Sequence, residues 1–562
     1  MVSTEPSSRS GKDRGAWWLA FGGAVTMFLV QPPADCWLLA WLAPLPWLAL
    51  VQDDRPAAVP WRILYAAGLV HWLAAIHWLR LPHPATAIGW VALSAYLAAY
   101  VPLFVAIARR LVHAWRWPLV AAAPVAWMAC EQLRGWLLGG FTFAALGHTQ
   151  WRWTTLLQFA DALGAVGVGG VVMTVAAALA GLIAAGRRRE GLREAAFAAT
   201  AAGAVLLAVL GYGAWRLATE PSGQGAALDV LLVQGSIDTE LKHDPEAAAD
   251  VARHYDDLTV AALPRDGSAP PDLVAWPETM WRWGLLEIAA DEVLPESLVA
   301  ATLDAAGIDD DLPAADRQAA CRRRLEQERL AVLGGYARRY GTHWLVGLDR
   351  QVFTPHAAGG VRNFNCGLFL DPAGEPLACY SKMHPVMFGE YVPLADRFPW
   401  LYRLTPLAGG LTAGTDPVAV TIAGYRVAVN ICYETALPEA VRSQVLNLGR
   451  RGGRPDVIVN LTNDGWFWGS SELDMHLAAA MFRAVEVRTP LVIAANTGFS
   501  AWIDGSGRLL ARGPRRAVGT IRAAVRRDGR TGPWLVWGSL PLGAILAVAL
   551  IALLPARWRT RP

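Results

Sequence analysis

Three short segments each place a reactive side chain directly after an apolar, strand-like run. LVAWPE ends in Glu278, ACYSK ends in Lys382 and VAVNIC ends in Cys432. A carboxylate can act as a general base, and an ammonium favours a thiolate and a developing oxyanion. A thiol becomes a strong nucleophile once it is deprotonated. Because acyl transfer needs these three parts, the set predicts a covalent acyl-transfer site.

Taken one at a time, these residues have ordinary structural explanations. A Glu after Trp-Pro is more often a solvated strand end, and a Lys in a strand-to-loop turn is usually a surface charge. A Cys after four apolar strand residues is usually part of a core. Their shared position argues for function, because strand ends in α/β domains are where reactive groups are commonly mounted on a rigid sheet.

The elements that must position these residues lie in the polar part of the chain, 220–530. Strand-like and helical runs alternate there, which indicates an α/β layered fold. The strand-like runs are 228–234, 273–276, 344–348, 366–370, 418–431, 457–461 and 491–495. The helical patterns lie near 245–263, 313–340, 437–449 and 471–488. We interpret the charged, Ala-rich stretch 283–330 as a helical insertion.

The remainder of the chain is apolar enough to lie in lipid. Of its 562 residues 54% are hydrophobic, and the mean hydropathy is +0.29. A membrane span needs about 20 mostly apolar residues. Such runs occur at 16–31, 36–52, 61–80, 86–108, 117–138, 157–185, 194–217 and 533–555. They predict a membrane domain of seven helices over 1–219 and an eighth helix with a cytoplasmic tail over 531–562.

Lys and Arg counts in the short loops predict the orientation. With the N-terminus in the cytoplasm, the outer loops of the first seven helices carry only Arg80, Arg134 and Arg152. The inner segments carry Arg9, Lys12, Arg14, Arg55, Arg62, Arg109, Arg110, Arg116, Arg187, Arg188, Arg189, Arg193, Arg557, Arg559 and Arg561. The bias predicts that 220–530 lies outside the cytoplasm, tethered to the membrane at both ends.

Charge and cysteine content exclude other classes of function. The net charge of +3 argues against nucleic-acid binding, which needs a strongly basic face. The six cysteines form no CxxC pair and show no metal-ligand spacing, so we predict no metal site. Spacing leaves open whether any two of Cys321, Cys366 and Cys379 form a disulfide.

The segments around the three reactive residues resemble the nitrilase superfamily. They are WPE, YSKMHPVMFGEYVP and NICYE, and the later segment NLTNDGWFWGSSELDMHLAAAMFRAVEV is similar too. The resemblance implies an αββα sandwich with Glu278 as general base, Lys382 as oxyanion stabiliser and Cys432 as nucleophile. It also implies that Glu390 is a second essential glutamate that orients Lys382 or the acceptor amine. The other positions that match the family near its site are Asn365, Tyr433 and Glu434.

Nearly the whole chain is similar to the apolipoprotein N-acyltransferase family of the bacterial inner membrane. The membrane part contributes ACEQLRGWLLGGFTFAALGHTQ to the likeness. The resemblance implies eight membrane helices, with a periplasmic nitrilase-type domain between the seventh and the eighth. It implies a phospholipid acyl donor, a diacylated apolipoprotein acceptor and no cofactor. We expect a monomer.

The chain departs from that family at two places near the expected site. His243 stands where the family commonly has Trp, and we give this histidine no catalytic role. Pro385, Val386 and Met387 stand where the family commonly has Leu-Val-Pro before Phe-Gly-Glu. This second departure can alter the shape of a loop beside the site.

Two other functions remain open from the sequence. A membrane-anchored nitrilase-type amidase, with water as acceptor, would use the same three residues but would not need seven helices. A transporter or receptor with a degenerate nitrilase-like domain would not need an intact triad. The apolar helices also lack charged pairs, except for Glu131 and Arg134, three residues apart on one helix.

Overall fold

The structure is a computed structural model. It describes residues 9–54, 61–219, 225–238, 246–289, 292–308, 312–354, 360–395, 397–404 and 409–554. His243, one of the two departures named above, lies outside these residues. The helices of the first part are α1 Arg9–Leu29, α2 Leu45–Gln52, α3 Trp61–Ala75, α4 Thr86–Ala98, α5 Tyr100–Arg109, α6 Leu119–Trp136, α7 Thr154–Leu157, α8 Ala160–Arg188 and α9 Leu192–Ala218.

Several of these helices are suited to a membrane by length and hydropathy. Within the described residues, three are long and apolar enough to cross one: Thr86–Ala114, Ala160–Arg188 and Leu192–Ala218. Shorter apolar helical segments are Gly15–Leu29, Trp37–Gln52 and Leu540–Leu553. The chain therefore has an apolar helical region, and the count of eight spans stays a prediction.

Small side chains bring the central helices of this region together. The helices α6 and α8 contact each other, and Ala122, Ala126 and Ala129 of α6 and Val172 and Ala176 of α8 are fully buried in one shared apolar cluster. Helices in lipid associate through close packing rather than through the hydrophobic effect, so small residues at the contact favour it. This packing makes the helical region a firm base for the rest of the chain.

The polar part of the chain forms two six-stranded sheets. The strands are β1 Leu228–Gln234, β2 Leu273–Ile288, β3 His343–Phe353, β4 Val361–Leu370, β5 Pro376–Ser381, β6 Ala419–Ile422, β7 Tyr425–Ile431, β8 Val457–Thr462, β9 Leu491–Ala495, β10 Ala501–Ile503, β11 Leu509–Arg512 and β12 Gly519–Val525. One sheet has the order β12-β1-β2-β3-β4-β5, and the other has the order β11-β10-β9-β8-β7-β6. In each sheet three neighbouring strands run parallel (β1, β2 and β3; β7, β8 and β9), and the outer pairs are antiparallel.

The two sheets pack face to face, with helices on both outer faces. Apolar side chains from both sheets form the central core, among them Leu232, Leu345, Val429 and Leu461. The helices Ala248–Ala262 and Ala314–Tyr340 cover the first sheet, and the helices Pro438–Arg450 and Glu472–Val487 cover the second. We call Glu472–Val487 the site helix. The helices Glu296–Ala305, Pro533–Trp537 and Leu540–Leu553 complete the chain. The layers are those of the predicted αββα sandwich.

Two predicted elements differ in the structure. The run 418–431 is a hairpin of β6 and β7, because Ala423 and Gly424 both have positive φ and reverse the chain. The start of the predicted helical insertion 283–330 is also wrong, since β2 continues to Ile288 beside β3. Periodicity did not reveal this extension, because Trp, Leu and Glu in that segment fit a helix or a strand equally well.

A buried ionic cluster joins the sandwich to the membrane helices. The carboxylate of Asp161, at the start of α8, accepts hydrogen bonds from Arg216 of α9 and from Arg488, which follows the site helix. Asp161 is fully buried, and Tyr212 also donates to it. The interpretation that Glu131 and Arg134 are the exceptional charged pair is therefore wrong, because Asp161 and Arg216 form a second pair between helices.

Loss of the Asp161 charge should destabilise the protein. Asp161→Asn leaves two arginines in a buried site without their carboxylate, and breaking a buried pair in this way costs about 3–5 kcal/mol. We expect a clearly lower midpoint of thermal unfolding in detergent. The control Asp250→Asn removes a pair whose side chains are more than two-thirds exposed and should leave the midpoint nearly unchanged. Equal midpoints for Asp161→Asn and the unaltered protein would contradict the assigned role of the cluster.

Candidate functional site

Glu278 lies in an irregular part of β2 rather than after its end. The parallel pairing of β2 with β3 shifts register between Trp276 and Trp281, and Thr279 has a φ of 55°. Such irregularities re-aim a side chain while the strand continues on both sides. The sequence-based view of Glu278 as a strand-end residue is thus corrected, although its side chain still reaches the edge where the other candidates lie.

Two nitrogen donors hold the Glu278 carboxylate. Asn365 of β4 donates from Nδ2 to Oε1 at 2.6 Å, and the backbone N–H of Asn463 donates to Oε2 at 3.0 Å. Glu278 is 5% exposed. Both oxygens are therefore fixed, with Oε1 on the side that faces Lys382.

Lys382 follows β5 and is almost completely buried. Its Nζ lies 2.6 Å from Oε1 of Glu390 and 3.5 Å from Oε1 of Glu278. Burial by itself lowers the pKa of Lys382, but the charges of Glu390 and Glu278 raise it well above its usual value. The side chain is therefore an ammonium with a fixed position, as an oxyanion stabiliser requires.

Cys432 follows β7 and has a backbone φ of 53°, in the left-handed region. A non-glycine residue there is uncommon and is often found where a side chain must be presented at a sharp turn. Burial of the thiol and the charge of Glu278 raise its pKa well above its usual value, and Lys382 lowers it only in part. Burial and the Glu278 charge therefore both favour the protonated thiol of Cys432 over its thiolate.

Glu390 is held by the loop in which the sequence departs from the family. Its Oε2 accepts a hydrogen bond from the backbone N–H of Val386 at 2.7 Å, while Oε1 contacts Lys382. Gly389 and Glu390 donate in turn to the backbone carbonyl of Val386. The Pro385–Val386–Met387 segment thus forms the turn that fixes Glu390, so its altered sequence still serves the Lys382 contact.

Tyr433 and Glu434 connect the Cys432 turn to its surroundings. The Tyr433 hydroxyl donates to the carbonyl of Gly140 in the helical region at 2.8 Å. Oε1 of Glu434 accepts from the backbone N–H groups of Met383 and His384, and its Oε2 accepts from Ile431. Glu434 therefore ties the turn after Lys382 to the turn that carries Cys432.

Further polar groups at this site were not assigned from the sequence. Asn460 donates from Nδ2 to the Cys432 carbonyl at 3.2 Å, and Nε2 of His476 lies 3.2 Å from the same oxygen. His476 also contacts Asp464 at 3.3 Å. A signal was present for Asp464, because TNDG directly follows the apolar run 457–461, as the segments of Lys382 and Cys432 follow theirs.

Asp464 and His476 also belong to a buried group that includes Glu472. Their potential ligand atoms lie within 4.8 Å of one another, and no other such group of His, Cys, Asp and Glu occurs in the described part of the chain. Both ring nitrogens of His476 already face oxygen atoms, on Asp464 and on Cys432. The group therefore serves as a polar network behind Cys432. All six cysteines, which lie within the described ranges, are free thiols.

Aromatic residues of the helical region form one wall beside the site. Phe143 packs on Tyr433 and on His476, with ring centroids 5.8 Å and 6.5 Å apart. Trp78 packs on both Phe143 and Phe467. The site is therefore built from the sandwich on one side and from the apolar helices on the other.

The alkylation rate of Cys432 tests how the charges of Glu278 and Lys382 affect the pKa of its thiol. Glu278→Gln removes the negative charge that raises the pKa of the thiol, so more thiolate should form and iodoacetamide should alkylate Cys432 faster at pH 8. Lys382→Met removes the opposing charge and should slow alkylation. Rates over a pH series, with Cys432→Ser as the background for the other thiols, measure both effects. Slower alkylation in Glu278→Gln would mean that Glu278 maintains a preformed thiolate.

Two family models match separate parts of this chain. The family model "Apolipoprotein N-acyltransferase N-terminal domain" matches residues 23–178, and the model "Carbon-nitrogen hydrolase" matches 247–532. Among solved structures, an amidase from Nesterenkonia sp. is 19% identical with a TM-score of 0.35, and the alignment covers 57% of this chain and 97% of that one.

Curated relatives extend over nearly the full length. A protein of Rhodopirellula baltica named apolipoprotein N-acyltransferase is 31% identical over 96% of both chains. Proteins of the same name from Geobacter metallireducens and Chromobacterium violaceum are 28% and 31% identical, over 95% and 96% of this chain and 95% and 94% of their own. The chain therefore belongs to the apolipoprotein N-acyltransferase family.

Proposed function

We propose that the chain transfers an acyl chain from a phospholipid to the N-terminal α-amine of a diacylglyceryl-cysteine apolipoprotein. The observation that carries this proposal is the group formed by buried Glu278 and Lys382 and half-buried Cys432, beside the apolar helices. Membership of the family supports it, since relatives of nearly equal length are named for this activity. The product is a triacylated lipoprotein.

The first half of the reaction forms a thioester. Glu278 takes the thiol proton of Cys432 as the sulfur attacks the ester carbonyl of the phospholipid, on its sn-1 chain. Lys382 and the backbone N–H of Tyr433 stabilise the negative oxygen of the tetrahedral intermediate. The carbon–oxygen bond then breaks, the leaving glycerol oxygen takes the proton from Glu278, and a lysophospholipid departs.

The second half transfers the acyl group to nitrogen. The free α-amine of the apolipoprotein attacks the thioester carbonyl, and Glu278 accepts a proton from that nitrogen. When the carbon–sulfur bond breaks, the proton returns to the Cys432 sulfur and the amide is released. No metal or dissociable cofactor enters either step, and the chain acts as a monomer.

The supporting residues act through the triad. Asn365 keeps Oε1 of Glu278 directed at Lys382, and Glu390 holds Lys382 from the other side. Glu434 fixes the two turns that carry Lys382 and Cys432. Tyr433 connects the nucleophile turn to the helical region through its hydroxyl.

The donor chemistry explains the helical region. Pulling a sixteen-carbon acyl chain into water costs more than about 10 kcal/mol, at ~0.8 kcal/mol per buried CH₂. An enzyme with such a donor should therefore open to the bilayer. Trp78 and Phe143 pack the helical region against the sandwich beside Cys432, and an amidase of soluble amides needs no such contact with apolar helices. This wall favours the transferase over the hydrolase.

The topology follows from the same proposal. Eight spans, seven within 1–219 and one within 531–562, cross the bacterial inner membrane from a cytoplasmic N-terminus. The catalytic domain 220–530 lies on the periplasmic side, where apolipoproteins are exposed. The Lys and Arg bias of the short loops supports this orientation.

Incubation with radiolabelled phospholipid tests the chemistry. We expect a hydroxylamine-sensitive label on the unaltered protein and none on Cys432→Ser, because only a thiol gives a labile thioester at this site. Addition of a diacylated lipopeptide should discharge the label into the peptide. Release of labelled free fatty acid without transfer to the peptide would support the amidase and defeat the transferase proposal.

Site-specific cysteine labelling tests the orientation. Glu328→Cys lies on an exposed part of the helix Ala314–Tyr340, and Arg189→Cys lies between α8 and α9. In cells with a permeabilised outer membrane, an impermeant maleimide should label Glu328→Cys, and it should label Arg189→Cys only after lysis. The unaltered chain gives the background from its natural thiols. The reverse pattern would overturn the topology.

A further inference from the structure

The peptide group between Cys432 and Tyr433 receives two hydrogen-bond donors on its carbonyl oxygen. Asn460, on the neighbouring strand β8, donates from Nδ2 at 3.2 Å. Nε2 of His476, on the site helix, lies at 3.2 Å from the same oxygen. The carbonyl oxygen of Cys432 therefore has a polar side chain of β8 and one of the site helix within hydrogen-bond distance.

His476 has an oxygen atom at hydrogen-bond distance from each of its ring nitrogens. Its Nδ1 lies 3.3 Å from Oδ1 of Asp464, and both side chains are 3% exposed. Thr462 donates to the same Asp464 oxygen at 2.8 Å. Burial by itself lowers the pKa of His476, but Asp464 and the Cys432 carbonyl raise it above its usual value. An imidazolium carries a proton on both ring nitrogens, so it can make both contacts at once.

The geometry of a peptide bond transmits this arrangement to the site. The Cys432 carbonyl and the Tyr433 N–H belong to one planar trans unit, so they point in opposite directions. Hydrogen bonds that fix the direction of the Cys432 carbonyl therefore also fix the direction of the Tyr433 N–H, on the opposite side of the peptide. Hydrogen bonds polarise one another along a chain, so donors on the carbonyl make the N–H a stronger donor. Tyr433 also stands in the first turn of a short 3₁₀ helix, where N–H groups have no partner within the helix.

We infer that His476, with Asp464 and Asn460, orients and polarises the Cys432–Tyr433 peptide so that its N–H serves as an oxyanion donor. This inference rests on the proposed function, in which a tetrahedral intermediate forms at Cys432. His476 touches neither the substrate nor the reacting atoms in this role. It is a positioning residue that acts through the backbone of the nucleophile.

The test separates oxyanion stabilisation from thiol reactivity. A long-chain aldehyde adds reversibly to the thiol and gives a tetrahedral hemithioacetal, which needs the oxyanion donors. Iodoacetamide alkylates the thiolate by displacement and forms no oxyanion. We would measure aldehyde affinity, the alkylation rate at its high-pH plateau, and the single-turnover rate of acylation by phospholipid. The variants are His476→Leu, His476→Gln and Asp464→Asn. The control His343→Leu removes another histidine that contacts a backbone carbonyl, at the opposite end of β3 from the site.

His476→Leu should lower the acylation rate and the aldehyde affinity by the same factor, between about 10-fold and 100-fold. This is less than the effect of removing an oxyanion donor outright. Plateau alkylation should stay within about twofold of the unaltered protein. His476→Gln, which keeps an N–H donor, should recover part of both losses, and Asp464→Asn should cause a smaller loss of both. His343→Leu should change none of the three values.

Two results would overturn the inference. The first is a lower acylation rate in His476→Leu with unchanged aldehyde affinity, which would show that His476 does not act through stabilisation of the oxyanion. The second is a parallel fall in plateau alkylation, which would show general damage to the site. An unaltered protein that binds the aldehyde but takes no acyl group from phospholipid would instead defeat the proposed function, and the aldehyde series would still decide the role of His476.

Discussion

The Lys382 ammonium is the charge on which the site depends. At 1% exposure it has lost nearly all its water, and a buried cation is tolerated only when opposite charges and hydrogen bonds replace that water. Glu390 and Glu278 supply the compensation from two different segments. Loss of either carboxylate would leave the ammonium with only one charged partner, so the site depends on the β2 irregularity, the end of β5 and the Val386 turn together. The free-energy cost of burying the Lys382 ammonium is therefore offset only when the segments that carry Glu278, Lys382 and Glu390 are correctly placed.

The site combines regular and irregular backbone for different purposes. The regular strands hold the backbone in fixed positions, and the reactive side chains lie where the regular strand geometry is interrupted. Glu278 occupies the register shift in β2, and Cys432 has a φ of 53° after β7. Such conformations cost free energy locally and persist because their neighbours hold them. Here the neighbours are the carboxylate of Glu434 and the donors Asn460 and His476, which fix the backbone on both sides of the thiol.

The sandwich and the helical region form one structure around this site. Phe143 and Tyr433 bring the apolar helices against the nucleophile turn, and the Asp161 cluster fastens the site helix to α8 and α9. The same contacts that stabilise the docking also define a wall of the site. Cys432 therefore lies close to the contact between the two parts of the chain, and a nitrilase-type sandwich alone would lack this apolar neighbour.

The fold class and several candidate site residues were predictable from the sequence alone. Apolar runs long enough for lipid and the alternation of strands and helices predicted the fold class, because such patterns depend on local chemistry and spacing. The reactive residue types and the family motifs around them grouped Glu278, Lys382 and Cys432, although Glu278 lies within β2 rather than after its end. The family motifs also pointed to Glu390, to orient either Lys382 or the acceptor amine, and the structure shows its contact with Lys382. The tertiary structure alone decided the hairpin of β6 and β7, the extension of β2 through Glu278, the Asp161 cluster and the donors behind Cys432. These features depend on contacts between residues far apart in the chain, such as Asp161 with Arg488 or Cys432 with His476, and no local pattern encodes which distant groups will meet.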